Sequence, residues 1–176
     1  MTENRESGRA RVLVAASSKH GSTEEIAHRI ADTIAAEGHD VTSTVAGPDI
    51  AIDHFDAIVL GSAVYAGKWM TDAIDLAERI GREPDPPQVW LFSSGPVGDP
   101  PKPEPETVDV TELVEVTSAR EHRVFSGKID KSKLGFAERA IIVAVRAPEG
   151  DFRRWDEIET WSRSIAANLH REEAVT

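Results

Sequence analysis

The stretch from Val12 to Ala27 limits the fold more than any other. Val12-Leu13-Val14-Ala15-Ala16 is an apolar run without polar alternation, the pattern of a strand covered on both faces in a parallel sheet. Ser17-Ser18-Lys19-His20-Gly21-Ser22-Thr23 follows as a short hydroxyl-rich turn. Ile26, Ile30 and Ile34, beside Ala27 and Ala31, then form one apolar helix stripe. A helix starting there aims its free N–H groups, and the positive end of its dipole, into the turn. Ser18, Ser22 and Thr23 supply hydroxyls and Gly21 permits a tight backbone, which suits a phosphate without a metal. A plain turn capped by Ser or Thr is the competing reading.

The rest of the chain repeats the alternation. Gly38 is placed to end the first helix, and Val41–Val45 alternates as a more exposed strand. Ala57–Leu60 reads as a second buried strand ending in Gly61-Ser62, followed by a loop from Ala63 to Trp69. Met70, Ala73, Ile74, Ala77 and Ile80 give a second helix stripe, closed by Gly81. Val89–Phe92 is a third buried strand, with Trp90 in the core, and it runs into Ser93-Ser94-Gly95-Pro96-Val97-Gly98. The acidic, Pro-rich segment Asp99–Asp109 reads as a long surface loop. Thr111–Ser118 is expected as a short helix and Arg123–Phe125 as a last short strand. Composition at Ala140–Val145 favours a strand, but the spacing Leu134, Ala137, Ile141, Val145 favours a helix, and we assign a helix. Trp155, Ile158, Trp161, Ile165 and Leu169 mark a closing helix. Residues 1–10 are expected to be a mobile leader, 11–170 a single domain, and 171–176 a tail.

Strands alternating with helices imply an α/β fold, a parallel sheet covered on both faces. Ligands of such sheets sit beyond the carboxyl ends of the strands, where the strand order reverses. Three strands here end in hydroxyl- and glycine-containing loops on one edge: Ser18–Thr23, Ser62–Gly67 and Ser94–Gly98. That convergence carries more weight than any single loop.

Composition removes whole classes of function. No cysteine occurs among the 176 residues, which excludes thiolate catalysis, disulfides and cysteine-ligated metal centres. A formal charge of −11 argues against nucleic acid as a partner and against firm binding to anionic lipid. The charge is uneven: Arg120–Arg146 is rich in Lys and Arg, and Asp99–Glu115 is rich in acids. No apolar run reaches the roughly eighteen residues of a membrane span, and a cytoplasmic location is expected. No G-x-x-x-x-G-K-[ST], no G-x-G-x-x-G after the first strand and no G-x-S-x-G elbow is found. The six histidines show no zinc-ligand spacing and are read mostly as surface residues, and no metal site is expected.

Val14–Thr23 followed by Ala27 resembles the flavodoxin signature, with Ala16 standing where that family usually carries an aromatic residue. The resemblance implies a flavodoxin-like, doubly wound five-stranded parallel sheet, order 2-1-3-4-5, with helices on both faces and FMN as cofactor. Gly61–Gly67, Phe125-Ser126-Gly127 and the Trp155-Asp156-Glu157-Ile158 helix look most like the flavodoxin-domain group that includes menaquinone-dependent protoporphyrinogen oxidases. By that resemblance Ser18, Lys19, His20, Gly21, Ser22 and Thr23 would hold the FMN phosphate. The loops Ser62-Ala63-Val64-Tyr65-Ala66-Gly67 and Ser94-Gly95-Pro96-Val97-Gly98 would clasp the ring. Tyr65 is the first candidate to stack on it and Trp69 the second, a core anchor being the other role for Trp69.

The flavin, rather than a protein acid–base pair, would then carry the chemistry. Two functions follow from the resemblance. One is an enzyme passing reducing equivalents from an organic donor, such as protoporphyrinogen, through FMN to a quinone. The other is a one-electron carrier docking a basic redox partner through its acidic surface.

Overall fold

A computed structural model describes residues 8–95, 110–144, 146 and 148–173, with side chains described up to residue 170. The expectations for residues 1–7, for Pro96–Gly98 and the Asp99–Asp109 loop, and for residues 174–176 lie outside this range. Five parallel strands form the sheet: β1 (Arg11–Ser17), β2 (Asp40–Val45), β3 (Ala57–Tyr65), β5 (Gln88–Ser94) and β6 (Glu121–Phe125). Their order is β2-β1-β3-β5-β6, the doubly wound arrangement that the flavodoxin resemblance implies. A two-residue strand β4 (Lys68–Trp69) folds back antiparallel onto β3.

Side chains alternate across the sheet because successive Cβ atoms point to opposite faces. Val12, Val14 and Ala16 of β1, Ala57 and Val59 of β3, and Trp90 and Phe92 of β5 face one layer. That layer holds α1 (Ser22–Ala36) and α5 (Trp155–Glu173), packed through Ile26, Ile30, Ile34, Ile158, Trp161 and Ile165. Leu13, Ala15, Ile58, Leu60, Val89 and Leu91 face the other layer, built from α2 (Thr71–Gly81) and α3 (Thr111–Thr117). The central strands therefore need apolar residues at every position. That explains the unbroken runs at Val12–Ala16, Ala57–Leu60 and Val89–Phe92. β2 lies on an edge and is largely exposed, so its sequence alternates.

Three features differ from the sequence reading. Ala63, Val64 and Tyr65 are strand rather than loop, since β3 runs on to form a hairpin with β4. β5 likewise extends two residues past Phe92, to Ser94. His39 is a buried exception among the histidines: its ring bonds the N–H of Ala10 and the carbonyl of Ala166, tying the residue before β1 to α5.

Between β6 and α5 lies an excursion of the chain. Lys128-Ile129 (β7) pairs antiparallel with Gly150-Asp151 (β8), and a 3-10 turn at Lys131–Lys133 leads into α4 (Phe136–Ala144). The helix assigned from the Leu134–Val145 spacing exists, but none of its residues is buried.

Candidate functional site

Strand order reverses between β1 and β3, so their carboxyl ends open a crevice at that edge. On the β1 side the chain leaves Ser17, turns through Ser18–His20 and enters α1 at Gly21. Gly21 sits at the helix N-cap with φ of 84°, the left-handed region that glycine occupies without cost. Ser18 Oγ accepts the Gly21 N–H at 3.0 Å and so shapes the turn. No side chain caps α1, which sets aside the ordinary Ser/Thr cap. The first-turn N–H groups are thus left facing the crevice.

Two hydroxyls stand out here. Ser17 Oγ and Ser22 Oγ are buried without a hydrogen-bond partner. A buried polar atom left unpaired costs about 1–3 kcal/mol, so a pair of them around an uncapped helix start marks a place for an acceptor-rich ligand. A phosphate group fits these donors.

Arg153 braces the same turn from below. Its side chain is only 3 % exposed and lies 2.7 Å from Glu25 and 2.6 Å from Asp151. Nη1 also donates to the Ser22 carbonyl at 3.2 Å, and the guanidinium stacks on Trp155, 4.5 Å from the ring centre. The Arg153 bonds hold the Asp151 carboxyl below its usual range.

On the outer side of the turn, Lys19 Nζ donates to Glu138 Oε1 of α4, and His20 Nε2 lies 3.1 Å from the same oxygen. Glu138 Oε2 accepts the Gly135 N–H at 2.8 Å. The Lys19 bond, then the Gly135 N–H and His20, bring the Glu138 carboxyl down to about 2. Lys19 Nζ also sits 5.6 Å from the centre of the Tyr65 ring, which joins the first loop to the second. Burial, with Glu138 adding repulsion, raises the Tyr65 phenol, so it stays neutral near pH 7.

The second loop is a hairpin. Tyr65 pairs with Lys68 and Val64 with Trp69, across a two-residue turn with positive φ at both Ala66 (49°) and Gly67 (77°). That is the turn whose twist matches paired strands. Ala66 holds its left-handed conformation at a cost of about 1–2 kcal/mol. Ser62 Oγ donates to the Ala63 carbonyl at 2.8 Å and accepts the Met70 N–H at 2.9 Å, closing the base of the hairpin.

Trp69 is buried, and its Nε1–H donates to Ser93 Oγ at 2.7 Å, so it is a core anchor rather than a ring-stacking residue. Ser93 Oγ lies 2.8 Å from His122 Nε2. Burial lowers the His122 pKa, so the imidazole is neutral near pH 7. The indole can only donate, so Ser93 Oγ accepts from it and keeps its own proton and a second lone pair for the bond with Nε2. Tyr65, at the hairpin tip, is 43 % exposed.

The third loop begins beside the second. Gly95 lies against Val64 and Gly127, and its N–H donates to the Phe125 carbonyl at 3.4 Å. A Cβ on Gly127 would stand 3.3 Å from the Gly95 backbone, so glycine permits this close approach. Ser94 is buried, and Pro96, Val97 and Gly98 lie outside the described residues. Ser17, Glu138 and Arg153 border the site without having been singled out in the sequence. Ser17 carried a signal as a hydroxyl ending a buried strand. Glu138 and Arg153 arrive from more than a hundred residues away, and no local pattern marks them.

A doubly wound parallel sheet with an anion cradle at its first strand-to-helix turn defines a class of phosphate-bearing cofactor binders. The chain belongs to the flavodoxin domain family, whose family model matches residues 13–156, and that membership implies FMN as the cofactor. No curated protein matches the sequence. Among solved structures, a flavodoxin from the domain Archaea is 15 % identical with a TM-score of 0.61, covering 90 % of this chain and 98 % of its own. The flavodoxin of Streptococcus pneumoniae TIGR4 is 17 % identical, TM-score 0.62, with 90 % and 99 % covered. The rubredoxin oxygen:oxidoreductase of Desulfovibrio gigas is 13 % identical, TM-score 0.63, and is matched over 96 % of this chain but 38 % of its own. At these identities the structures share the fold. No helix among the described residues is long and apolar enough to cross a membrane.

Proposed function

We propose that the chain, as one domain spanning residues 11–170, is an FMN-dependent oxidoreductase passing reducing equivalents from an organic donor to a quinone-type acceptor, with protoporphyrinogen as the candidate donor. One observation carries the cofactor half of this reading: the buried, unpartnered Ser22 hydroxyl at the uncapped start of α1. Bound FMN supplies the redox chemistry, and the residues of this chain bind it, orient it and keep water from it.

In this reading the N–H groups of Lys19–Thr23 and the hydroxyls of Ser18, Ser22 and Thr23 take the phosphate, with Ser17 joining them. Lys19 and His20 give charge from the outer side, shared with Glu138. Tyr65 stacks on the ring, the backbone of Ser62–Gly67 meets one edge, and Ser94–Gly98 forms the facing wall. The Trp69–Ser93–His122 chain of hydrogen bonds keeps the hairpin from shifting.

The excess of acid, −11 overall, favours a second reading, a carrier that docks a basic redox partner. Titration of the purified chain with FMN, followed by tryptophan fluorescence and visible absorbance, tests the cofactor: saturable one-to-one binding is the expected result. Turnover of protoporphyrinogen that depends on added quinone supports the enzyme. Fast reduction by a flavoprotein reductase that falls steeply with salt, without such turnover, supports the carrier.

A further inference from the structure

Among the described residues, α4 presents an outer face that neither the fold nor the cofactor reading uses. Its inward side carries Glu138, which reaches Lys19 and His20, and half-buried Ile142. At 100° per residue the remaining apolar positions, Phe136, Ala137, Ala140, Ile141, Val143 and Ala144, share one continuous outward arc. All six are exposed, Phe136 at 92 %, Ile141 at 61 % and Val143 at 70 %. An apolar patch of this kind on a surface element marks a contact.

We propose that α4 is an interfacial helix that seats the protein on an anionic bilayer through Phe136, Ile141 and Val143, flanked by Lys131, Lys133, Arg139 and Arg146. Charge complementarity selects this occupant. Lys128–Glu149 carries five cations against three acids, in a chain whose total is −11. All three acids are engaged within the fold, Asp130 by Ser132, Glu138 by Lys19 and His20, and Glu149 by Lys131, which leaves Lys133, Arg139 and Arg146 as the main cations for headgroups. The local balance thus reverses the expectation drawn from the whole chain. A second copy of the helix would bring like charge against like charge. The acidic segment 99–109 offers only Val108 as an apolar side chain beyond its prolines, too little to cover six apolar positions. Lipid meets both demands, with acyl chains for the apolar arc and headgroups for the cations.

The inference rests on the quinone reading for its purpose, since such an acceptor resides in lipid. Glu138 links the seated helix to the loop assigned to the FMN phosphate, so docking would bring the flavin pocket to the bilayer.

The test is sedimentation of the FMN-loaded full chain with vesicles of mixed phosphatidylglycerol and phosphatidylcholine, and with pure phosphatidylcholine. We expect binding to the anionic vesicles that weakens with salt. It should fall about tenfold or more in a Phe136→Ser/Ile141→Ser variant, and clearly in Lys133→Glu/Arg146→Glu. Thermal unfolding of both variants should stay close to the parent, because all four substituted side chains are exposed. No binding, or equal binding by the apolar variant, overturns the inference. So does a concentration-dependent dimer that the apolar variant dissolves without any vesicle binding. Reoxidation of the reduced holoprotein by a water-soluble quinone, without vesicles, is read separately. Vesicle binding without reoxidation sinks the quinone reading alone, and reoxidation without vesicle binding sinks the docking surface alone.

Discussion

The hydroxyl-rich end of β1 and those of its neighbours β3 and β5 are built on opposite principles. At the end of β1, Ser17 and Ser22 keep buried hydroxyls without partners, and α1 begins without a side-chain cap. At the ends of β3 and β5, the Ser62 and Ser93 hydroxyls each make two hydrogen bonds inside the protein. The two look alike in sequence, as Ser next to Gly or Ser. The difference teaches that hydroxyl content marks a rim, while satisfaction separates the part that waits for a ligand from the part that holds the wall still.

The wall is where a small change should do most harm. Gly61 in β3 lies under the Phe92 ring, and a Cβ there would stand 2.0 Å from Phe92 Cζ. Gly61→Ala should destabilise the fold by about 3 kcal/mol through overpacking, read as a lower denaturant midpoint. Little loss of stability would mean that the wall yields and that the contrast with the first loop is overdrawn.

Ser93→Ala comes next. It leaves the buried Trp69 indole N–H without an acceptor, at a cost of about 2 kcal/mol. Because the His122 pKa is lowered by burial, the folded state resists protonation there. Its contribution to stability is therefore present above the ordinary histidine value of 6.5 and fades as pH falls below it. Denaturant midpoints from pH 8 to pH 5 should show that decline in the parent protein and a smaller one in His122→Phe.

Ser22→Ala probes the opposite principle. Removing an unpaired buried hydroxyl should leave the apoprotein as stable as before, or slightly more so. The same change should weaken FMN binding about tenfold, the worth of one hydrogen bond to a charged group. A Ser22→Ala protein that loses stability and keeps its FMN affinity would reverse the roles assigned to the two strand ends.

How the sequence bears on this contrast differs element by element. Val12–Ala16, Ala57–Leu60 and Val89–Phe92 announce themselves because both faces of those strands are buried, and Ile26, Ile30 and Ile34 because one helix face is. That alternation gives a parallel sheet covered on both faces, while the strand order is what the flavodoxin resemblance implies. The hairpin is hidden because Ala66, with φ of 49°, is not a residue that signals a two-residue turn; Asn or Asp would have. Which hydroxyls are satisfied is hidden too, since the partners of Ser62 and Ser93 include Met70 and His122, brought near only by the fold. α4 was legible as a helix, while the side it leaves uncovered depends on the neighbours the fold gives it.

The smallest effect should come from Glu138, which joins the waiting loop to the excursion between β6 and α5. Its carboxyl is held at about 2 against an ordinary 4.5, so the ionised form is the one the fold favours. A depressed carboxyl contributes stability that is present above about pH 4.5 and lost as pH falls toward 2. Lys19 and Glu138 are both partly exposed, and solvent screens such pairs, so the loss should loosen α4 without unfolding the sheet. Amide exchange is the measurement. Between pH 7 and pH 3, protection of α4, after correction for intrinsic rates, should fall in the parent protein, while β1 and β3 stay protected. In Glu138→Gln, α4 should already be loose at pH 7 and respond little to acid. Equal loss in α4 and in the central strands would mean that the Lys19–Glu138 contact is part of the core's own stability, and the line drawn between a poised loop and a fixed wall would have to move.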